Sequence, residues 1–335
     1  MLKHFNPEPA PNRGNRAHTP AIPSDEPGVA SLPSSMAPPK TPAAPAPPAN
    51  PLKTKALRAL DDLPPFSPIM NRLLASLAGD DVSFSSLGDL IEKDTVIAGN
   101  LLRVVNSALY ARRSAINSVR HALSILGIGK LRNLVLGMSV AQMWNRTRVP
   151  QAWSMKRFDM HSAAVAILSD LLAQLVPATY PEGAFAAGLF HDLGRLLIVL
   201  ALPQETAAIA NQFARGGGTL LQCEQNVLGF THADVSAEAL AIWKLPWPVQ
   251  AAVATHHDNW PEAASAESGN EIPMGRLIGA ANQFVNSTGS SIDIDPRIGA
   301  SDPSAIDSLG LEPERLARLK AEFRDEYMGL LQFFT

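Results

Sequence analysis

The sequence has only one cysteine, so no disulfide within the chain can support the fold. Cys223 is therefore expected to be a small buried apolar residue. Charged residues are also scarce, at 18% of the chain, and the formal net charge is −3. The first 55 residues are net positive and the remainder is net acidic. Because a duplex-binding surface needs clustered lysine and arginine, nucleic-acid binding is not expected.

Long uncharged apolar runs are missing as well. The best candidates are interrupted by Asp170 and by His191-Asp192, so none has the length that a membrane helix needs. Residues 1–11 lack the apolar segment of a secretory signal. These absences lead us to expect a cytoplasmic protein that does not associate with a membrane.

Proline is abundant but unevenly distributed. Fourteen of the 28 prolines precede residue 52, and residues 37–51 are almost entirely proline and alanine. Such a segment cannot bury enough apolar surface to offset the entropy lost on ordering. We therefore predict that residues 1–52 form a disordered Pro/Ala-rich tail and that the folded part begins at residue 53.

Beyond the tail, apolar residues recur with the spacing of helices. Ile69, Leu73, Leu74 and Leu77 are one example, and alternation of period two is hardly visible. Two helices are predicted on either side of Gly127-Ile128-Gly129. Others are predicted over residues 181–200, which include the His-Asp pair, and over 312–331. Many helices with short connections indicate an all-α fold.

Histidine is the residue that points to chemistry. Five of the eight histidines follow residue 150, within or at the ends of predicted helices and among apolar residues. His191 is followed directly by Asp192, and an ionisable pair in such surroundings is costly unless it finds partners. Imidazole and carboxylate together suit Fe, Mn or Zn, and an aspartate can bridge two ions about 4 Å apart. The alternative is a hydrogen-bonded pair that holds two helices in register.

Glu224 lies eight residues before His232, close to two helical turns away. It can orient a metal ligand, form a hydrogen bond between helices or be exposed. We favour exposure or the hydrogen bond between helices.

The histidines and Asp192 occur in an order that resembles the ligand series of the HD phosphohydrolase superfamily in its HD-GYP form. The flanking residues resemble the HDOD family, a degenerate branch of that superfamily, more closely. The resemblance covers about residues 63–285. The matching segments are Leu63-Pro64-Pro65 and residues 102–110, 118–127, 187–194 and 243–246.

The resemblance implies a two-lobed helical HDOD domain over residues 53–300. Its N-terminal helical lobe would span residues 55–150, its HD-like lobe would span 151–300, and a C-terminal helical extension would follow over 301–335. It also implies one metal held by three residues, with the aspartate bridging to a second metal held by three more. The first three are His161, His191 and Asp192, and the second three are His232, His256 and His257.

Three positions depart from the catalytic pattern. The superfamily's last ligand, an aspartate on a late helix, corresponds to Asn282, whose amide is neutral and weakens the first metal site. Arg195 stands where the phosphodiesterases commonly have a lysine, and it would bind a phosphoryl group with different geometry. The Gly-Tyr-Pro element is replaced by Asp258-Asn259-Trp260-Pro261. These departures argue against hydrolysis of a cyclic dinucleotide.

The resemblance therefore implies a non-catalytic bacterial signal-transduction module. We expect its degenerate cleft to bind a signalling protein in trans or a nucleotide or other phosphorylated ligand. The alternative is a metal-dependent phosphomonoesterase or phosphodiesterase.

Overall fold

The computed structural model describes residues 50–77, 84–106, 116–260, 271–293, 295 and 299–331. These residues form helices and one isolated β-bridge, between Ala178 and Ile272, which confirms the all-α prediction. The α-helices within them are α1 (Pro51–Arg58), α2 (Pro68–Leu77), α3 (Phe84–Lys93), α4 (Thr95–Val105), α5 (Val119–Arg146), α6 (Met155–Ala173), α7 (Ala184–Phe190), α8 (Leu193–Ala201), α9 (Pro203–Ala214), α10 (Leu220–Leu228), α11 (His232–Ile242), α12 (Trp247–Ala254), α13 (Met274–Ser287) and α14 (Pro313–Leu331).

The folded part begins slightly earlier than the sequence suggests. The tail was predicted to extend to residue 52, but α1 begins at Pro51. The Asn50 side chain caps α1 by accepting hydrogen bonds from the backbone of Leu52 and Lys53, and it donates one to the carbonyl of Leu228. Capping and proline at the first helical position outweigh the local composition. Residues 1–49 of the predicted tail lie outside the described residues.

Helices α2 to α5 pack on one another and form a first group. Asp94 separates α3 from α4 and caps α4 by accepting from the backbone of Val96 and Ile97. The predicted break near Gly127 is confirmed, because its φ of 76° interrupts the helical backbone within α5. Only glycine adopts such a conformation readily, so this residue sets the change of direction.

Helices α6 to α13 form a second group around the residues of interest, and α14 packs along α6. Helix α1 packs against α8 and α11. It therefore belongs to the second group of helices, although it precedes the first group in the sequence. The assignment of lobes to residues 55–150 and 151–300, with an extension over 301–335, stays a prediction.

The single helix predicted over residues 181–200 is wrong. The chain instead forms a 3-10 turn (Pro181–Gly183), then α7, and α8 begins only at Leu193. His191 and Asp192 occupy the turn between the two helices. His191 Nδ1 lies 2.8 Å from the carbonyl oxygen of Gly188. In an unbroken helix, this carbonyl would accept a hydrogen bond from the backbone N–H of Asp192. The histidine side chain thus replaces a backbone donor, and the helix stops.

Two glycines let other helices approach the histidines closely. A Cβ atom at Gly194 would lie 2.1 Å from the carbonyl oxygen of His232, and one at Gly279 would lie 2.3 Å from that of His256. The backbone N–H of Gly194 also donates to Ser236 Oγ at 2.7 Å. Helices α8 and α13 are therefore held against the backbone that carries these two histidines.

Among the described residues, two helical segments have the length and apolar composition of a membrane-spanning helix. They are Val119–Arg146 and Pro181–Ala201. Their most apolar windows are 50% and 83% buried within the fold, which is also typical of core helices.

The close approach at Gly194 generates a stability prediction. Replacing Gly194 with alanine forces α8 away from α11 and should destabilise the protein by about 1–3 kcal/mol, the usual cost of overpacking. The control is Gly99→Ala, because Gly99 is exposed within α4 and a Cβ there meets nothing within 4 Å. That change should stabilise by up to about 1 kcal/mol. Equal effects of the two changes in chemical denaturation would contradict the predicted close packing.

Candidate metal centre

Four separate elements bring the predicted ligands together. His161 lies on α6, and His191 and Asp192 occupy the turn before α8. Thr231 caps α11 reciprocally with Asp234, which makes His232 the first residue of that helix. The remaining pair, His256 and His257, follows α12. We call these six residues, 161, 191, 192, 232, 256 and 257, the His/Asp cluster.

The Nδ1 atoms of four of the five histidines in the cluster face hydrogen-bond acceptors. His161 Nδ1 lies 2.8 Å from the carbonyl oxygen of Ser290, and His256 Nδ1 lies 2.6 Å from that of Val253. His191 contacts a carbonyl in the same way, and His232 Nδ1 lies 2.8 Å from a Glu224 oxygen. A carbonyl oxygen only accepts, so Nδ1 carries the proton in the three histidines that face one. Their Nε2 lone pairs are then directed at one centre, as in metal-ligating histidines.

Asp192 lies at that centre. Its Oδ1 is 3.1 Å from His232 Nε2 and 3.8 Å from His256 Nε2. Its Oδ2 is 3.4 Å from His191 Nε2 and 3.9 Å from His161 Nε2. The carboxylate therefore faces two pairs of imidazoles, one with each oxygen.

The ligand atoms fall into two groups, and in each group they lie within 4.8 Å of one another. Asp192 belongs to both, which is the grouping that the family resemblance implies. The first group is His161, His191 and Asp192, and the second is Asp192, His232, His256 and His257. His232 and His257 face each other, with their Nε2 atoms 2.9 Å apart.

Two buried atoms of the cluster lack a partner. Asp192 Oδ1 and His256 Nε2 make no hydrogen bond, although both are inaccessible to solvent. Leaving a buried polar atom unsatisfied costs about 1–3 kcal/mol. A divalent cation in the second group would satisfy both atoms, so the donor set fits a metal and the cluster can bind one.

The electrostatics follow from burial and crowding. Burial opposes ionisation of Asp192, but its interactions with His191 and His232 outweigh burial and hold its pKa well below the usual range. Burial likewise opposes a charge on His232, but Glu224 and Asp192 outweigh it and raise its pKa. Burial lowers the pKa of His161 to about 3, and His191 contributes to this. A neutral imidazole is the form that binds metals, so His161 is poised for that role.

Comparison with known proteins places this arrangement in a family. The family model described as the HDOD domain matches residues 63–259, more than half of the chain. The chain belongs to the HDOD family. A protein of Treponema pallidum (strain Nichols), which is named only as uncharacterised, is 24% identical over 224 residues. The match covers 61% of this chain and 39% of that relative, so the chain spans well under half of the relative's length.

Solved structures share the HDOD fold at low sequence identity. An HDOD domain protein of unknown function from Geobacter sulfurreducens has a TM-score of 0.63 and 19% identity, covering 84% of this chain and 98% of that one. A protein from Shewanella amazonensis SB2B, provisionally assigned as a phosphohydrolase, has a TM-score of 0.58 and 23% identity over 82% and 98% of the two chains. A provisional signal-transduction protein from Marinobacter aquaeolei VT8 has a TM-score of 0.59 and 20% identity over 83% and 61%.

Arg195 of this HDOD domain has carboxylates on two sides. Its Nη2 donates to Asp293 Oδ2 at 2.6 Å, and its Nη1 lies 3.8 Å from Asp192 Oδ2. Burial opposes its charge, but these carboxylates outweigh burial and raise the pKa of the guanidinium. The binding of a phosphoryl ligand by Arg195 stays a prediction. Such a ligand would have to compete with Asp293.

Asp293 belongs to a segment, residues 290–293, that lies along the His/Asp cluster and that the sequence did not single out. Arg157 on α6 donates to the carbonyls of Ser291, Ile292 and Asp293 at 2.8–3.1 Å. The carbonyl of Ser290 accepts from His161. We call residues 290–293 the strap. No periodic pattern marks these residues, so apolar spacing does not predict their position beside the cluster.

Of the two favoured readings of Glu224, exposure is wrong and the hydrogen bond between helices is confirmed. Only 3% of Glu224 is exposed, and its carboxylate accepts from the backbone N–H of His232 at 2.9 Å as well as from the imidazole. The turn between α10 and α11 returns the chain onto Glu224, a tertiary effect that helical spacing alone does not show. Glu224 therefore orients His232.

Asn282 is buried on α13, where its Oδ1 accepts from Asn286 Nδ2 at 3.0 Å. It lies three residues after Gly279, so both occupy the face of α13 that approaches His256. Its role as a metal ligand stays a prediction.

Glu224 generates a test of the metal site. Glu224→Gln keeps the shape but removes the charge that orients His232, so affinity for Mn²⁺ or Zn²⁺ should fall about 10- to 100-fold. Competition with a chromophoric chelator measures this. Glu238→Gln is the control, because Glu238 is half-exposed on α11 and pairs with Lys53, outside the cluster. Unchanged affinity in Glu224→Gln would contradict the role of the Glu224 charge in orienting His232.

Proposed function

We propose that this protein is a non-catalytic bacterial signal-transduction module whose His/Asp cluster binds a divalent metal. The observation that carries the proposal is the closure of the cluster. Asp192 is 4% exposed, His191 is fully buried and His232 is 2% exposed, whereas His257 is half-buried. A phosphoester that approaches the centre through Arg195 would have to displace Asp293.

The residues that would hold the metal are His161, His191, Asp192, His232, His256 and His257. Mixed imidazole and carboxylate ligands favour Fe, Mn or Zn. A bound divalent ion supplies positive charge and Lewis acidity at the centre of the fold. The protein supplies acceptors that orient four of the five imidazoles, and a buried carboxylate shared by both groups.

Regulation is the role that this arrangement supports. The cluster connects α6, the α7–α8 turn, the start of α11 and the end of α12, so metal occupancy biases the packing of all four. A signalling protein in trans would recognise that packing. A nucleotide or other phosphorylated ligand would alter it by displacing Asp293 from Arg195. The provisional assignment of the Marinobacter neighbour to signal transduction agrees with this role. We place the protein in the cytoplasm, without contact to a membrane or nucleic acid.

Metal analysis tests the proposal directly. Protein purified without a chelating tag should contain stoichiometric Fe, Mn or Zn by elemental analysis. Asp192→Ala and His232→Ala should lose it, because each removes a donor at the centre of the cluster. The control is His121→Ala, since His121 is exposed on α5. Full metal content in both cluster variants would contradict the proposal, as would an absence of metal from protein refilled with these ions.

A second candidate function is metal-dependent hydrolysis of a phosphomonoester or phosphodiester. The specific observation in its favour is that Asp192 is shared by both ligand groups, since a bridging carboxylate is typical of two-metal phosphoryl-transfer sites. The provisional assignment of the Shewanella neighbour also agrees with it.

Hydrolysis has a separate test. Protein loaded with Mn or Fe would release phosphate from an aryl phosphate, or a linear dinucleotide from a cyclic one, and Asp192→Ala would abolish the release. We expect no release from the wild type. We also expect none from Asp293→Ala, which frees Arg195. Release that requires Asp192 would replace our proposal with the second candidate, whereas release that survives Asp192→Ala indicates a contaminant.

A further inference from the structure

Beside the cluster lies an apolar cavity, whose lining includes Arg195 and Asp293, the pair that the proposed phosphorylated ligand would have to break. Its volume is about 310 Å³, and it is enclosed by α8, α9, α10 and the residues that precede α6. Its walls include Trp153, Ile198, Ile209 and Phe213. Binding sites for small molecules are typically concave and mainly apolar, with a few polar groups at one end.

The charged groups and the hydroxyl of this cavity already have partners within the protein, whereas Trp153 Nε1 is buried and makes no hydrogen bond. Arg195 is paired with Asp293 at 2.6 Å, and Glu224 with His232 at 2.8 Å. Thr206 Oγ1 donates to the carbonyl of Leu202 at 2.8 Å. An ionic ligand would have to break one of these pairs. An uncharged ligand needs no such exchange and gains from apolar contact.

The size of the cavity limits the ligand further. A protein cavity of about 150 Å³ holds benzene. A space of about 310 Å³ therefore suits a molecule of about two fused rings or an aliphatic chain of comparable volume. Ala207 and Ala210 line it and are exposed, so small side chains form part of its entrance on α9.

Two residues belong to the wall of the cavity and also touch the cluster. Arg195 Nη1 lies 3.8 Å from Asp192, and Glu224 binds both the backbone and the imidazole of His232. A molecule packed against Arg195 and Glu224 thus changes the environment of two cluster residues. A ligand shifts an equilibrium only through such differential contacts.

We propose that this cavity binds an uncharged, predominantly apolar small molecule, and that Arg195 and Glu224 couple its binding to the His/Asp cluster. Binding in the cavity is independent of the proposed function. The coupling rests on it, because it requires a metal in the cluster.

The binding is tested with 1-naphthylamine, an uncharged apolar probe of two fused rings whose fluorescence changes when it leaves water. The full chain should bind it saturably. Ala210→Phe and Ala207→Phe each place a ring at the entrance and should weaken binding at least tenfold. Ala208→Phe is the matched control, because Ala208 is exposed on the same helix and lies outside the cavity, and it should bind as the wild type does.

Absence of saturable binding would overturn the proposal. Equal binding by all three variants would also overturn it, because the probe would then occupy another surface. Circular dichroism of each variant separates loss of binding from loss of fold.

The coupling is tested by metal titration with and without saturating probe. Because coupling is reciprocal, metal affinity and probe affinity should change by the same factor, at least threefold. Probe binding with unchanged metal affinity would overturn the coupling alone. If the wild type binds no metal, the proposed function fails, and the fluorescence titration still decides whether the cavity is a binding site.

Discussion

The structure depends on one constraint, the burial of an ionised carboxylate at the centre of the second group of helices. Asp192 is 4% exposed, and an uncompensated charge there would be strongly destabilising. Its compensation comes from imidazoles on three other parts of the chain and from Arg195 one helical turn along α8. The packing of these elements and the charge of Asp192 therefore stabilise one another.

The surrounding structure prepares the imidazoles for a shared ligand. The acceptors at Nδ1 come from the backbone and from Glu224, and the backbone of α8 and α13 approaches through Gly194 and Gly279. Ligands preoriented in this way lose little freedom when they bind a metal. The strap and the Arg195–Asp293 pair lie along the same region, so an anion that approaches Arg195 has to displace Asp293.

Local patterning predicted most of the helices because apolar spacing and capping are short-range properties. The break at Gly127 could be predicted because glycine readily adopts the positive φ found there. The order of the histidines along the chain identified the cluster. The helix over residues 181–200 failed because a side chain of His191 takes a backbone acceptor, which no periodicity reveals. The burial of Glu224 and the strap at residues 290–293 depend on tertiary contacts between distant parts of the chain. Such contacts leave no local signal.

The central claim is that the His/Asp cluster is a metal centre with imidazole ligands. X-ray absorption at the metal edge, on protein loaded with Fe, Mn or Zn, tests it most directly. The account predicts nitrogen and oxygen donors at about 2.0–2.2 Å, as zinc shows with such ligands, and outer-shell scattering from several imidazoles that decreases in His232→Ala. A spectrum of solvated ion alone, identical in the wild type and the variant, would contradict it.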